Sequence, residues 1–588
     1  MEINNKKIIT STSFIVLIFL FLSVIPIRKV LFKDGIISNI DFCFIVHPEW
    51  HIKTKSFYAL EEYNTGIRNP ARKVMVYGEV FNYILEKAGF STVAINKLWF
   101  IIPTCLTGLI GYWFFRVFFN EIKEKIFAVI CGIFLMFSSS NLMAYFFGWT
   151  VWMTLPFLAS ICMVLFYIRG MRDNFNYKQV IFSVISSFFS MILIQVFLLA
   201  GVMIFFYTLF NIKQCFKHKS RSIKYVFTFL SLLFLINSWF FLLYYNSSIL
   251  KDTYITLNLE DHIISVGKEN GILKALTLKS VDYAGHIRKY NYSTTSWVIN
   301  IIIVIASFSP LLFVNLKDKK ILLWLYCCAL IMLFFTSAYS GMFKEVYMFC
   351  FKNIPLFPIF RNHTKGYYFI SLIYSVGIAY FLFNFINKIK IRLNIDRFRH
   401  IIILNCFLII ISVISFFASY PLCTGNMGAE DNKKFSLYSL STFNIPEYYD
   451  EMRAYLLNKE LNVNLLLLPF PRWSNFFTWY PLQMVGNITH IYFPQPIIGS
   501  DFELLPEDNF LINLLWHRLK NGISDNAYLM KMLNIKYIVY QNDQIDLLRE
   551  RDKFNLMKKN VKESLTRDKN IVFERKIGKL ELYSIRNL

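Results

Sequence analysis

INKLWFIIPTCLTGLIGYWFFRVFFNEIKEKIFAVICGIFLMFSSSNLM, residues 95–143, decides the fold. It holds two apolar runs, about 95–117 and 125–143, joined by a short turn that carries Lys123 and Lys125. A run of about 17–25 apolar residues is what a helix needs to cross the hydrocarbon core of a bilayer. A Lys/Arg-rich turn between two such runs marks the cytoplasmic side. The same alternation extends in both directions along the chain.

Working outward, the sequence predicts eleven spans, at about 8–27, 95–117, 125–143, 149–168, 179–195, 197–212, 224–245, 296–316, 321–337, 366–387 and 400–420. Basic residues fall at every second turn: Lys6-Lys7, Lys123/Lys125, Arg169/Arg172/Lys178, Lys213/Lys217/Lys219/Arg221/Lys224, Lys317/Lys319/Lys320 and Lys388/Lys390/Arg392/Arg397/Arg399. The positive-inside rule then places the N-terminus in the cytoplasm and the C-terminus outside. Residues 179–212 lie between two basic loops, so an even number of crossings must separate them. Two short helices in succession satisfy that, with Gln195 near the outward turn. The first apolar run lacks a small-x-small cleavage site and is expected to be a retained signal anchor.

Composition agrees with a membrane class. Hydrophobic residues are 56% of the chain and charged residues 17%, with 62 phenylalanines. Soluble domains average about 45–50% apolar and about 25% charged. The formal charge of +24 is concentrated at span ends. There it sets topology and meets anionic lipid headgroups, which argues against nucleic acid as a partner. Most of the ten cysteines sit inside apolar runs, with no spacing that makes a disulfide framework or a zinc site.

Three long segments are expected outside. The first, Arg28 to about Ile95, includes VFNYILEK at 80–87, whose apolar spacing predicts a helix lying on the membrane surface. The second, about Asn246–Thr295, has a helical patch near 260–278. The third, about Ala338–Lys365, has Pro355 and Pro358 bracketing apolar residues and is expected to re-enter the bilayer surface. After Pro421 the texture is that of a soluble α/β domain. Strands are expected at 464–469 and 535–540, helices near 446–459 and 508–520, and a closing hairpin at 571–575 and 580–585 around Gly578. The domains are therefore 1–421, membrane-embedded with a first extracytoplasmic loop at 28–94, and 422–588, extracytoplasmic. The fold class is an α-helical polytopic membrane protein with a C-terminal extracytoplasmic α/β domain.

Two groups of residues are placed to do chemistry. Asp41, in Ser38-Asn39-Ile40-Asp41-Phe42, follows the first span by about a dozen residues. A carboxylate partly desolvated at the membrane edge has the raised pKa that a general base for a sugar hydroxyl needs. The plainer reading is a solvated loop carboxylate or a helix cap. Glu49, Glu61, Glu62 and Glu79 are alternative bases on the same loop. The second group is Phe360-Arg361-Asn362-His363-Thr364-Lys365 at the mouth of a span. Arg361 offers a phosphate a bidentate fork, Lys365 a point charge, and His363 an imidazole. The plainer reading here is a pair of snorkelling cations that anchor the helix start. No phosphate loop, HExxH, Ser/His/Asp elbow or CxxC pair is present. Apart from Arg116, the spans carry no mid-membrane Asp, Glu, Lys or Arg, which argues against an ion-coupled transporter.

The order of residues from Gly35 to Trp99 resembles the first outer loop of the GT-C membrane glycosyltransferases. It runs Asp41, Pro48, Asn64-Thr65-Gly66-Ile67-Arg68-Asn69-Pro70, Tyr77-Gly78, then Leu98-Trp99. The nearest patterns are the N-terminal domain of the arabinofuranosyltransferase AftD and the YfhO-like membrane proteins. Pro358–Lys365 is similar to the Phe-Arg-x-x-x-Lys element that such proteins carry before a late span. Leu533–Val539 resembles a run in their outward domains. The sequence departs from the AftD pattern at Asp41-Phe42-Cys43, where that family has Asp-Thr-Lys. It also lacks a Tyr-Leu-Phe-Pro-Met-Gly-Pro run after Tyr77-Gly78.

The resemblance implies a GT-C-like transferase of the cytoplasmic membrane that uses a polyprenyl-phosphate-linked sugar donor and a glycan or glycolipid acceptor on the outer face. It implies Asp41 as general base, with Arg361, Lys365 and His363 neutralising the leaving lipid phosphate. GT-C enzymes differ in metal use; the sequence shows no metal cage and no evident cofactor, and it leaves a divalent metal open. The competing readings are a polysaccharide or lipid-linked glycan exporter, an O-antigen polymerase or ligase, and a GT-C scaffold without catalysis.

Overall fold

The structure, a computed structural model, describes residues 12–38, 62–63, 67–68, 76–122, 125–138, 154–217, 219–246, 273, 276–277, 294–312, 314, 316–337, 344–354, 357, 360, 365–392, 441–469, 474–478, 480–485, 492–495, 497–498, 506–545 and 551–586. The eleventh predicted span, 400–420, and most of the patch at 260–278 lie outside the described residues.

In chain order the membrane-region helices are α1 (Thr12–Val24), α2 (Val76–Lys87), α3 (Thr92–Phe118), α4 (Ile126–Met136), α5 (Leu155–Arg172), α6 (Tyr177–Ser190), α7 (Ile194–Phe210), α8 (Lys219–Asn246), α9 (Thr294–Phe308), α10 (Leu316–Ser337), α11 (Lys344–Asn353) and α12 (Gly366–Arg392). After residue 440 come α13 (Glu447–Leu457), α14 (Pro506–Lys520), α15 (Ala527–Met532) and α16 (Arg551–Arg567). The first ten predicted spans fall on α1, α3 to α10 and α12. Pro156 occupies the first turn of α5, a position where its missing N–H costs nothing; residues 149–153 of that predicted span lie outside the described residues. At the end of α4, Ser138 Oγ donates to the Leu135 carbonyl 2.8 Å away and the run stops. The 179–212 stretch is two helices, broken by a 3-10 turn at Met191–Leu193, with Gln195 in the first turn of α7.

Among the described residues five helices are long and apolar enough to cross a membrane: Thr12–Leu31, Thr92–Phe118, Leu155–Arg172, Asp318–Ser337 and Gly366–Ile389. Shorter apolar helices are Ile126–Met136, Ile194–Phe210 and Trp297–Leu312. The chain divides into two compact units. One is Met1–Leu31 with Leu98–Phe241 and Tyr254–Met427; the other is Phe32–Lys97 with Leu242–Thr253 and Gly428–Leu588.

In the first unit, helices meet through small residues, as they must where lipid removes the hydrophobic drive for association. A Cβ on Gly132 of α4 would overlap the Gly108 carbonyl of α3 and the Phe19 ring of α1, and one on Gly111 would lie 3.0 Å from the Gly132 Cα. Polar side chains lock other pairs. Trp324 Nε1 donates to the Met203 carbonyl at 3.0 Å, Asn237 Nδ2 to Ser187 Oγ at 2.9 Å, and Tyr225 Oη to the Tyr167 carbonyl at 2.8 Å. The basic connections gather at one end of the bundle. There Arg172 Nη1 donates to the Val117 carbonyl (2.7 Å), Lys320 Nζ to Asn211 Oδ1 (3.0 Å) and Tyr380 Oη to Asp318 Oδ2 (2.7 Å).

The second unit holds the strands β1 (Ile36–Ser38), β2 (Glu62–Tyr63), β3 (Ile67–Arg68), β4 (Ser441–Phe443), β5 (Asn464–Leu468), β6 (Ser474–Phe477), β7 (Tyr480–Val485), β8 (Ile497–Ile498), β9 (Ile535–Gln541), β10 (Gln544–Ile545), β11 (Ile571–Ile577) and β12 (Leu580–Ile585). Its main sheet has the order β11-β12-β9-β5-β8, with β8, β5 and β9 mutually parallel and β12 and β11 antiparallel. The leucine run in β5 reads as continuous because both faces of the strand are covered. Leu466 and Leu468 pack with α14, α15 and α16, while Leu465 and Leu467 pack with α13. The β11–β12 hairpin turns at Gly578, whose φ of +54° and contact with the Tyr448 ring leave no room for a side chain. Antiparallel β10-β6-β7 makes a second sheet.

Candidate functional site

Strand β1 precedes Asp41 in sequence and belongs to the second unit. Ile36, Ile37 and Ser38 pair antiparallel with Phe443, Thr442 and Ser441 of β4, the strand that leads into the C-terminal domain. Backbone groups alternate sides along a strand, so Ile37 directs both of its own away from β4. Asn96 takes both. Its Oδ1 accepts from the Ile37 N–H at 2.7 Å, and its Nδ2 donates to the Ile37 carbonyl at 3.1 Å. Ile37 and Asn96 are each fully buried. The side-chain amide thus acts as the missing neighbour strand and ties β1 to the start of α3. Lys97, next in sequence, donates from Nζ to the Lys33 carbonyl at 2.6 Å. The backbone at Ile37, four residues ahead of Asp41, is thus held on two sides.

Of the predicted bases, Asp41, Glu49 and Glu61 lie outside the described residues. Glu62 stands in β2, where its Cα is in register with Arg68 of β3. Glu79 lies in the first turns of α2, a helix that contains the predicted surface segment 80–87. Arg361 and His363 lie outside the described residues. Lys365 immediately precedes α12 and is 6% exposed.

Around Lys365 the first unit presents polar groups at the end of the bundle opposite the basic loops. Gly366 packs on Thr336 and the Met332 carbonyl, at the far end of α10. Tyr367 and Tyr368 follow, both buried; the Tyr368 hydroxyl lies against the buried Thr154 side chain, and the Tyr367 hydroxyl has no hydrogen-bond partner among the described residues. Tyr368 lies against the Phe157 ring, with centroids 5.2 Å apart. Ser160 of α5 and Ser190 of α6 share a hydrogen bond nearby in those helices' outer turns. Ahead of α12, Tyr347 Oη of α11 donates to the Phe360 carbonyl at 2.9 Å, fixing the residue before Arg361. Among the described residues no group of three or more His, Cys, Asp or Glu side chains converges as metal ligands.

The C-terminal domain carries a separate polar knot at the carboxyl end of β9. Asp543 Oδ2 accepts from Tyr448 Oη at 2.7 Å and Tyr449 Oη at 3.0 Å. Burial, and then the hydrogen bond to Asp543, pushes the Tyr448 phenol up. Lys558 Nζ donates to the Asn542 and Gln544 carbonyls, both at 2.9 Å, and burial lowers its pKa. The bonds from Tyr448 and Tyr449 pin α13 to the chain that follows β9.

Sequence reasoning missed Asn96, the β1–β4 pairing and the tyrosine pair. Asn96 had one available signal, an amide just ahead of a span that begins Leu98-Trp99. The pairing joins residues some 400 positions apart and had none.

No protein-family model matches the chain, and no curated protein matches it. Among solved structures it is similar to the cryo-EM structure of arabinofuranosyltransferase AftD from Mycobacteria, with a TM-score of 0.63 and 13% identity over 98% of this chain and 40% of that one. A point mutant of the same enzyme matches with a TM-score of 0.62, 13% identity, and coverage of 98% and 41%. The chain thus spans about 40% of the length of the structures it matches. At this identity the likeness is one of fold. The protein is a membrane protein with a GT-C-like fold, mostly helical, carrying a small C-terminal sheet domain.

Proposed function

We propose that the protein is an integral membrane glycosyltransferase that moves a sugar from a polyprenyl-phosphate donor to a glycan or glycolipid acceptor on the outer face of the cytoplasmic membrane. The observation that carries this reading is the fold likeness to AftD along 98% of the chain. In the reaction, Asp41 takes the proton from the acceptor hydroxyl as that oxygen attacks the anomeric carbon. The bond from that carbon to the phosphate oxygen breaks, and the lipid phosphate leaves with its electron pair. Arg361, His363 and Lys365 neutralise the charge that develops there, which in a low-dielectric setting is the largest contribution to the rate.

Two features support this assignment. The strand Ile36–Ser38, which precedes Asp41 in sequence, is held by β4 and by Asn96. Lys365 is a buried cation directly ahead of α12, in the segment that would meet the donor phosphate. Clustering of the basic connections at one end of the helix bundle supports a cytoplasmic N-terminus and an outward C-terminal domain. That domain would hold the acceptor.

The test is the lipid-linked saccharide pool and the surface glycan of cells that lack the protein. Loss of one sugar from the glycan, with its lipid-linked donor accumulating, is the expected result. Accumulation of a complete lipid-linked unit would replace this reading with an exporter or polymerase. An unchanged glycan and pool would leave a scaffold.

A further inference from the structure

We propose that the connection between α7 and α8, with the start of α8, docks an anionic phospholipid of the leaflet at the basic end of the bundle. The proposal stands on the membrane character of the chain and is independent of the transferase reading. Residues 213–224 hold five cations, Lys213, Lys217, Lys219, Arg221 and Lys224, and no acidic residue stands between Asp173 and Asp252. Other basic turns at that end carry their own counter-charge. Arg169 pairs with Asp173 at 3.5 Å, and Lys319 and Lys320 follow Asp318. Among the described residues no carboxylate pairs with Lys213, Arg221 or Lys224, and all three are exposed. Topology requires an excess of cations on one side, but not the absence of acids among them. A cluster of about four to eight Lys/Arg beside a membrane-crossing helix is what acidic headgroups bind.

The apolar side chains set among these cations argue against a solvated loop. Ile212–Lys217 is a short helix in which Ile212 and Phe216, one turn apart, are both exposed, Phe216 by 66%. In water that edge would be a cost; at a bilayer surface it lies among acyl chains while lysines stay at headgroup depth. α8 continues the same surface. Ile223, Phe227, Leu230 and Phe234 are exposed and three or four residues apart, which makes one helical stripe. From Ile223 to Phe234 the stripe rises roughly 16 Å, close to the depth of about 15 Å of one leaflet's hydrocarbon. A phospholipid there meets cations at its phosphate and an apolar lane as long as its acyl chains. The frame that presents them is fixed. Asn211 Nδ2 donates to the Tyr207 carbonyl at 2.8 Å, and Lys320 Nζ donates to Asn211 Oδ1. The Cys215 thiol lies against Ser222, and Tyr225 Oη donates to the Tyr167 carbonyl.

The test uses the full-length protein in nanodiscs of phosphatidylcholine and phosphatidylglycerol in equal parts, with the lipids that stay bound after detergent extraction counted by native mass spectrometry. The parent should retain phosphatidylglycerol in preference to phosphatidylcholine, and the preference should weaken as salt rises. Lys213→Gln/Arg221→Gln/Lys224→Gln should lower it about fivefold per cation, on the order of 100-fold together. Neutralising a topology signal can also disturb insertion, so Lys213→Arg/Arg221→Lys/Lys224→Arg serves as a second variant. It keeps the charge and should retain the lipid as the parent does. Arg169→Gln/Lys319→Gln removes two cations from turns that hold acids and should leave the preference unchanged. Equal retention by the parent and the glutamine triple overturns the proposal. An equal loss per cation in the Arg169/Lys319 pair overturns it too, since the effect would then be one of bulk charge. A charge-keeping triple that loses the lipid also counts against it.

Discussion

Asn96 holds Ile37 by both backbone groups, accepting at 2.7 Å and donating at 3.1 Å, across 59 residues of sequence. The contact joins the first turns of α3 to the strand that leads into the Asp41 loop. Because β4 occupies the other edge of that strand, the amide completes a three-part junction between loop, helix and C-terminal domain.

Asn96→Leu should therefore strand two buried backbone groups, at about 1–3 kcal/mol each. Asn96→Asp keeps the acceptor for the Ile37 N–H but sets a carboxylate against the Ile37 carbonyl, so it should lose less. The measurement is thermal unfolding in detergent together with limited proteolysis of residues 39–61. A leucine variant that melts and resists protease like the parent would show the clamp to be dispensable.

Asp41→Asn keeps the size of the proposed base and removes its function. Transfer should fall by roughly 10²–10⁴, the usual contribution of general base catalysis. Arg361→Ala should weaken donor binding as well as turnover, because a phosphate contact acts in the ground state too. Steady-state kinetics on the purified enzyme separate the two. Full activity in Asp41→Asn would move the base to Glu49, Glu61, Glu62 or Glu79.

Two glycines of the membrane unit make opposite predictions. A Cβ on Gly132 would overlap backbone oxygen and the Phe19 ring, neither of which can swing aside as a flexible side-chain tip would. Gly132→Ala should force α1, α3 and α4 apart and cost about 1–3 kcal/mol, as overpacking does. At Gly201, in α7, nothing lies within 4 Å of an added Cβ, so Gly201→Ala should be neutral or mildly stabilising. Melting temperatures of the two variants in the same detergent test this; equal effects would contradict the packing.

Much of the fold was legible in the sequence, for reasons that particular segments make clear. Spans such as 366–387 announce themselves because a bilayer imposes one length and one texture on any helix that crosses it. The leucines of β5 and the alternation around Gly578 were equally plain. The site was less so. A role for Asp41 or Lys365 could be suggested from residue type and position, but the clamp at Asn96 needed tertiary contacts that no local pattern encodes. Lys365 reads in the sequence equally as a phosphate ligand and as a snorkelling cation, and residue type and position do not separate the two.

The C-terminal domain carries a carboxylate whose titration should appear in its stability. Glu581 of β12 is 5% exposed and accepts hydrogen bonds from Lys562 Nζ (2.8 Å), Tyr583 Oη (2.8 Å) and Asn542 Nδ2 (3.1 Å). Burial alone would push its pKa up, but the bonds from Lys562 and Tyr583 and the lysine's charge outweigh it and hold the carboxyl below the usual glutamate range. A group whose folded pKa is depressed binds its proton more readily when unfolded. Its contribution is therefore fully present above the ordinary glutamate pKa, about 4.3, and is lost as pH falls from there through the lower folded value. Amide exchange of the β9 and β12 peptides in the full-length protein, corrected for intrinsic rates, should show protection that is flat from about pH 7 to 5 and declines below that range. Glu581→Gln should lower protection at neutral pH, because Lys562 loses its counter-charge, and should flatten part of the acid decline. Identical acid slopes in the parent and the variant would mean that other carboxylates, and not Glu581, set the acid limit of this sheet.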